Sequence, residues 1–325
     1  MIRPILLDIL APILLLVALG ALMRRKFQVD IPTLTKLNIY LFVPAFIFHV
    51  VSRGKLSWAE MGGVMLVTAV NVMVLGLVVW GIGRAVGARR GTLAAVALAV
   101  MFYNSGNYGL PLAQLAYPAE NANDPHNGAA VQAFVMMAVN LLTFTIGMGI
   151  AAAAHHGGIG KGVAALFRLP ILPGLACGIL AQWWVKGGHT LPVAISKTSR
   201  YIADGLVPIA LVTLGAQLAS NPRWPRWKPV GLVLFLRLIV GPVQMMGLLY
   251  LLHGTGWRPV DLWPWPAELL ILTASVPTAV NTLLLTLEIG GDAELAADCV
   301  FWTTVCSCVT ITGWLIVLRT VSWFH

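Results

Sequence analysis

The polar island Asn104-Ser105-Gly106-Asn107-Tyr108-Gly109-Leu110-Pro111 lies inside an apolar run from about Thr92 to Tyr117. Its carboxamides and hydroxyl donate and accept hydrogen bonds without carrying charge. Its backbone suits a helix poorly: an interior proline costs about 3 kcal/mol and each glycine about 1 kcal/mol. In lipid, every backbone group freed by such a break must find a partner, so the break survives only beside protein or a polar cavity. The stretch is expected to be a broken transmembrane helix at a substrate site.

A second island, Ser275-Val276-Pro277-Thr278-Ala279-Val280-Asn281-Thr282, lies in another apolar run. Paired interrupted spans at equivalent positions of two halves point to a transport site. Each break exposes a half-helix N-terminus with free N–H groups and about half a positive charge. Two such ends crossing at mid-membrane make an anion site without any buried Lys or Arg. Asn104, Ser105, Asn107, Pro111, Pro277, Thr278 and Asn281 are the expected substrate or ion site. The competing reading makes the polar ones caps and helix-packing groups only. Neither island contains Asp or Glu; the nearest acids along the chain are Glu120, Glu268 and Glu288. Cation and proton exchangers built on broken helices need intramembrane carboxylates. An anionic or neutral substrate is therefore favoured.

Four further residues are accessory candidates. Asp204 lies one turn before Pro208, with Arg200 placed to pair with it at i−4. Arg237 lies eight residues into its apolar run, where it either snorkels to the interface or helps attract an anion. Asn71 is the strongly polar residue deep in the third run, and Gln114 follows the first island. Asp8 and Glu60 read as interfacial, and His155-His156 as a solvated loop pair.

The elements that must position these residues follow from composition. The 325 residues are 58% hydrophobic and only 10% charged, against about 25% charged in soluble domains. The chain reads as an all-α integral membrane protein. Its net charge of +9 reads as loop charge and not as a nucleic-acid footprint. Cys177, Cys299, Cys306 and Cys308 lie in apolar runs without a CxxC pair, so neither a metal site nor a disulfide is expected. The apolar start from Ile5 to Met23 is too long for a signal peptide and ends in Arg24-Arg25-Lys26, which reads as a span. Spans are placed at about 5–23, 33–51, 60–83, 92–117, 128–153, 163–184, 196–219, 229–252, 265–287 and 295–319. With both termini outside, the inner loops carry twelve Lys and Arg and the outer segments seven, or eight with Arg319. That is the orientation the positive-inside bias favours. The ninth loop counts against it, with Glu288, Asp292, Glu294, Asp298 and no base. Tryptophans at span ends, such as Trp183, Trp224 and Trp263, read as an interfacial belt.

Prolines suggest two halves of five spans. Pro12 and Pro173, Pro44 and Pro208, and Pro111 and Pro277 are offset by 161, 164 and 166 residues. Each pair falls in corresponding spans of residues 1–153 and 163–325. An odd number of spans per half forces the second half to be inverted, which gives a 5+5 inverted repeat with broken, crossing helices four and nine. At the 166-residue offset Arg237 corresponds to Asn71. Gly174-x-x-x-Gly178 fits close helix packing, internal or across a dimer.

The first island, followed by Ala274-Ser275-Val276-Pro277-Thr278-Ala279-Val280-Asn281 and the run Asp292 to Asp298, resembles the auxin efflux carrier family of membrane transporters. Its bacterial members include malonate and malate carriers. The resemblance covers nearly the whole chain in span order. It implies a fold similar to bile-acid symporters and sodium–proton antiporters. Spans 1, 2, 6 and 7 (about 5–51 and 163–219) would form a scaffold. Spans 3–5 and 8–10 (about 60–153 and 229–319) would form a mobile crossover domain, and homodimerisation through the scaffold would be usual. In plant members an Asn ahead of the first crossover proline contacts the carboxylate, and Asn104 matches it by spacing. The plant second crossover has a proline where this chain has Asn281. The long cytosolic loop of many plant members is also missing, since the fifth loop here is about Ala154 to Gly162.

The expected function is a secondary carrier of a small organic acid in a bacterial inner membrane, working by an elevator-like shift, with no cofactor and with sodium or protons as coupling ion. The alternative is a sodium-coupled symporter of bile-acid type, in which unwound carbonyls with Asn, Thr and Gln114 hold the ion. An intramembrane enzyme is disfavoured, since the run Asp292 to Asp298 is expected to have no His or Arg partners.

Overall fold

The computed structural model describes residues 2–53, 58–119, 127–150, 171–219, 224–257, 260–288 and 291–320. Glu120, the fifth loop with His155-His156, and the first part of the sixth span lie outside them. In chain order the helices are α1 (Ile5–Phe27), α2 (Ile31–Arg53), α3 (Ala59–Ala85), α4 (Arg90–Met101), α5 (Leu110–Ala116), α6 (Gly128–Ile150), α7 (Ile171–Lys186), α8 (Val193–Leu218), α9 (Trp227–Thr255), α10 (Ala267–Ala274), α11 (Val280–Glu288) and α12 (Ala293–Thr320). Seven of them, α1, α2, α3, α6, α8, α9 and α12, are long and apolar enough to cross a membrane. The fourth and ninth runs do not yield one long helix because each is interrupted, as α4 then α5 and as α10 then α11. Among the described residues there is no strand, only one isolated antiparallel bridge.

Local sequence explains the helix ends. The chain leaves α1 through Gln28 in the left-handed region, at φ 50°. It enters α2 under an Asp30 cap, whose carboxylate accepts from the Thr33 N–H at 3.0 Å. Pro32 then sits in the first turn, where its missing N–H costs nothing.

The helices pack in two sets. In the first, α8 runs along α1 and α7 along α2. Small residues set these contacts. A Cβ on Gly215 would lie 1.9 Å from the Val17 carbonyl oxygen, and one on Gly20 would lie 2.1 Å from that of Val212. Gly174 and Gly178 face Pro44 and Val51 of α2 in the same way, so this glycine pair packs inside the chain. In the second set α3 packs on α4 and α6, α9 on α10 and α12, α12 on α4, and α10 and α11 on α6. The breaks sit inside this second set.

One ion pair ties two loops of the second set. Arg226, just before α9, reaches both carboxylate oxygens of Asp292, just before α12, at 2.9 and 2.5 Å. The guanidinium holds the Asp292 carboxyl below the usual carboxylate range. The run Asp292 to Asp298, expected to lack an Arg partner, thus has one: the acidic ninth loop takes its base from the seventh, because the fold brings the two loops together on one face.

The glycine contacts are testable. Gly215→Ala is expected to cost about 1–3 kcal/mol by overpacking, read as a lower melting temperature of the purified protein. Gly247→Ala, whose Cβ would meet nothing within 4 Å, is expected to be neutral or stabilising. Equal behaviour of the two variants would refute the packing account.

Candidate functional site

The two breaks are joined through their backbones. Helix α4 stops at Met101, and Phe102 turns extended (φ −105°, ψ 112°). The chain stays out of helix to Asn104 and resumes as a wide π-helical turn, Ser105–Gly109, that runs into α5. Pro111 lies six residues beyond the restart at Ser105, inside the resumed helical segment. The break therefore lies ahead of the island's proline, at Phe102 to Asn104. In the ninth run α10 stops at Ala274, where the Ser275 hydroxyl bonds back to the Leu272 carbonyl at 2.6 Å. Pro277 lacks an N–H and cannot continue the ladder. The two extended pieces then pair antiparallel. Asn104 N–H donates to the Pro277 carbonyl at 2.7 Å, and Ala279 N–H to the Phe102 carbonyl at 3.0 Å. Tyr103 and Thr278 form the bridge pair. Each break thus supplies partners for the other's freed groups.

Side chains complete this pairing. Thr278 is fully buried; its N–H donates to Thr303 Oγ1 at 3.1 Å and its hydroxyl to the Ala99 carbonyl at 2.8 Å. Buried Gln132 donates to the Ser105 carbonyl at 2.7 Å. A Cβ on Gly109 would lie 2.6 Å from Gln132 Nε2, so glycine is needed there for this approach.

Arg237 does not snorkel. Its side chain is fully buried at the crossing. Nη1 donates to the Val100 carbonyl at 2.8 Å and Nη2 to the Ala274 carbonyl, while the guanidinium carbon lies 4.7 Å from the Tyr103 ring centre. Val100 is in the last turn of α4 and Ala274 is the last residue of α10. One guanidinium therefore covers two helix C-termini, where the dipoles leave partial negative charge. Burial of this cation is compatible with its depth because both carbonyls and an aromatic face receive it. Asn71, its expected counterpart, is buried nearby in sequence register. Its carbonyl and Oδ1 accept from Gln244 Nε2 at 2.9 and 2.8 Å, which ties α3 to α9.

The opposite ends of the breaks face a cavity of about 90 Å³. Its lining includes the start of the resumed fourth run, Asn104 to Asn107, and the start of α11, Ala279 to Asn281. Six carboxamides line it: Asn38, Asn104, Asn107, Asn140, Gln217 and Asn281. Hydroxyls come from Thr35, Ser105, Thr143 and Thr213. Among the described residues that line it there is no Asp, Glu, Lys, Arg or His. Asn104 is 6% exposed and caps its own turn: Oδ1 accepts from the Asn107 N–H at 3.0 Å. That bond orients the amide and leaves Nδ2, buried in the cavity wall, without a partner among the described residues. Asn38 of α2 donates to Asn107 Oδ1 at 2.8 Å, linking the two helix sets across the cavity. On the side of the first set, Asn38 Oδ1 and Gln217 Oε1 have no donor among the described residues.

Of the expected site residues, Asn104, Ser105, Asn107 and Asn281 meet in this cavity. Pro111, Pro277 and Thr278 hold the backbone around it. Gln114 and Asp204 lie elsewhere, in a separate cleft of about 290 Å³ that also includes His49. Asp204 is well exposed and pairs with Arg200 at 3.7 Å. Asn38, Asn140, Gln217 and Gln132 were not singled out from sequence. Each is an isolated carboxamide in an apolar run, and that is the signal that marks them. Among the described residues no cluster of three or more His, Cys, Asp or Glu is placed to hold a metal ion.

Comparison with known proteins agrees with the family resemblance. Residues 164–315 match the family model described as membrane transport protein. The chain is 27% identical over 294 residues to a Rhizobium meliloti protein provisionally named a malonate transporter, covering 86% of this chain and 85% of the relative. It is 26% identical over 315 residues to an uncharacterized transporter of Methanothermobacter thermautotrophicus, covering 94% and 96%. An uncharacterized transporter of Methanocaldococcus jannaschii is 24% identical over 291 residues, covering 86% and 87%. With its long apolar helices, the chain is an integral membrane protein.

Replacing Arg237 tests the crossing. Arg237→Met strips two buried carbonyls of a charged donor and is expected to cost about 3 kcal/mol or more, seen as a fall in melting temperature of roughly 6 °C or more. Arg237→Lys keeps the charge without the fork and should fall between the two. A methionine variant as stable as the wild type would contradict the assignment.

Proposed function

We propose that this protein is a secondary active carrier of a small organic anion, a mono- or dicarboxylate, bound in the amide-lined cavity. The observation that carries this reading is Asn104 Nδ2. It is a buried donor without a partner among the described residues, at the N-terminal end of a half-helix, in a cavity whose described lining residues include no acid. A carboxylate there would take charge-assisted hydrogen bonds from Asn104 and Asn281 and would sit at the positive ends of two helix dipoles. The cavity suits an acid of three or four carbons better than an aromatic one. The relative provisionally named a malonate transporter supplies the first compound to test.

The finer architecture belongs to the same proposal. It has ten spans in a 5+5 inverted repeat, with the interrupted runs as spans four and nine. In support, the packing pattern is unchanged when each span is exchanged with its counterpart five later: α1 with α8 becomes α7 with α2, and α3 with α6 becomes α9 with α12. The set α1, α2, α7 and α8 would be the scaffold and the rest would move against it as an elevator, breaking the Asn38–Asn107 link. A homodimer through the scaffold, a bacterial inner membrane, and both termini outside complete the proposal.

A second reading has its own support. Asn38 Oδ1 and Gln217 Oε1 are acceptors in the same cavity without donors among the described residues, which suits a bound sodium ion or a proton carried on the substrate. Sodium-coupled symport would then accompany the anion.

The test is uptake and binding in proteoliposomes. Wild type is expected to accumulate a short dicarboxylate under an imposed gradient. Asn104→Ala and Asn281→Ala are each expected to weaken binding about tenfold or more without loss of fold. Absence of uptake for all short organic acids, together with unaltered ligand stabilisation in Asn104→Ala, would refute the site.

A further inference from the structure

A second cleft, of about 540 Å³, opens between α3, α4 and α6, away from the amide cavity. Its walls include Leu77, Trp80, Ala94, Ala97 and Ile150, and among the described lining residues Arg90 alone is charged. Leu77 and Trp80 are 63% and 55% exposed within an apolar spanning helix, so this side faces lipid. Small residues give the cleft its depth. A Cβ on Gly76, also in its lining, would lie 2.8 Å from Met101 Sδ. The charge is concentrated at one end. The Arg84 guanidinium carbon lies 5.3 Å from the Trp80 ring centre. The segment from Gly83 to Gly91 carries Arg84, Arg89 and Arg90 and no acid.

We propose that this cleft binds one anionic phospholipid, with an acyl chain in the apolar trough and the phosphate at Arg84 and Arg90. Charge complementarity selects the headgroup. Guanidinium forks match phosphate oxygens, and a zwitterionic lipid would add its own cation beside three arginines. Basic groups at the membrane surface attract anionic lipid over neutral lipid. The occupant also bears on the crossing, since α4 forms one wall of the trough and Met101, the last residue before the break, lies in it. A bound lipid therefore braces the half-helix that Arg237 caps from the other side.

The test uses the full chain, stripped of lipid in detergent, with native mass spectrometry to count bound lipids and a thermal shift as second readout. Dioleoyl phosphatidylglycerol is expected to bind one per chain, roughly tenfold or more tighter than dioleoyl phosphatidylcholine, and to raise the melting temperature. R84Q/R90Q is expected to remove the preference and R84K/R90K to keep most of it. Ala97→Phe, which fills the trough and leaves the arginines, should weaken both lipids. R24Q/R25Q, at the other basic cluster, should change neither. Equal binding of the two lipids by wild type, an undiminished preference in R84Q/R90Q, or the same stabilisation from inorganic phosphate alone would each overturn the proposal.

Discussion

Everything at the candidate site depends on two short extended segments hydrogen-bonding to each other in the middle of an all-helical protein. A helix broken at membrane depth leaves N–H and C=O groups that lipid cannot satisfy, at several kcal/mol each. The chain answers with two breaks instead of one. Asn104 N–H meets the Pro277 carbonyl and Ala279 N–H meets the Phe102 carbonyl. Neither break would be tolerable alone, so the fourth and ninth runs must be brought to the same place. The packing of α4, α9, α10 and α12 around them follows from that requirement.

The crossing also sorts charge. Four helix ends converge there, two positive and two negative. Arg237 sits on the negative pair, at Val100 and Ala274. The positive pair opens onto the cavity through Asn104–Asn107 and Ala279–Asn281. A cation that stood in the cavity would bind an anion tightly and release it slowly. A cation behind the crossing leaves a cavity of neutral donors and dipoles, which under the proposed function would attract a carboxylate and still let it go. Asn38 and Gln217 bring the first helix set to the same cavity, so any relative movement of the two sets would remake its wall.

Much of this was legible in the sequence, for reasons particular residues supply. Asn, Gly and Pro in apolar runs marked both breaks, because their cost in lipid is large and few other roles repay it. The small-residue pair Gly174 and Gly178 marked a close helix contact, though only the fold shows its partner to be α2. The exact place of the first break was less legible. Pro111 drew attention, yet the chain leaves helix ahead of it, at Phe102 to Asn104, and the Asn104 cap sets the boundary. Arg237 was misjudged because depth along a span says nothing of what meets the side chain; its acceptors lie 137 and 37 residues away in sequence. Asn38, Asn140 and Gln217 escaped notice because each is a single amide with no local motif. Only the fold gathers them.

The central claim is that a substrate carboxylate lies against the amide nitrogens at the paired helix ends. Solid-state NMR on the reconstituted protein measures this directly, using carbon-13 carboxylate malonate and nitrogen-15 asparagine side chains. The account predicts dephasing of the carboxylate signal at a carbon–nitrogen distance of about 4 Å, as an N–H···O contact requires, and its loss when Asn104 and Asn281 are both replaced by Ala. Bound malonate that shows no dephasing in the wild type, or the same dephasing in the double variant, would contradict it.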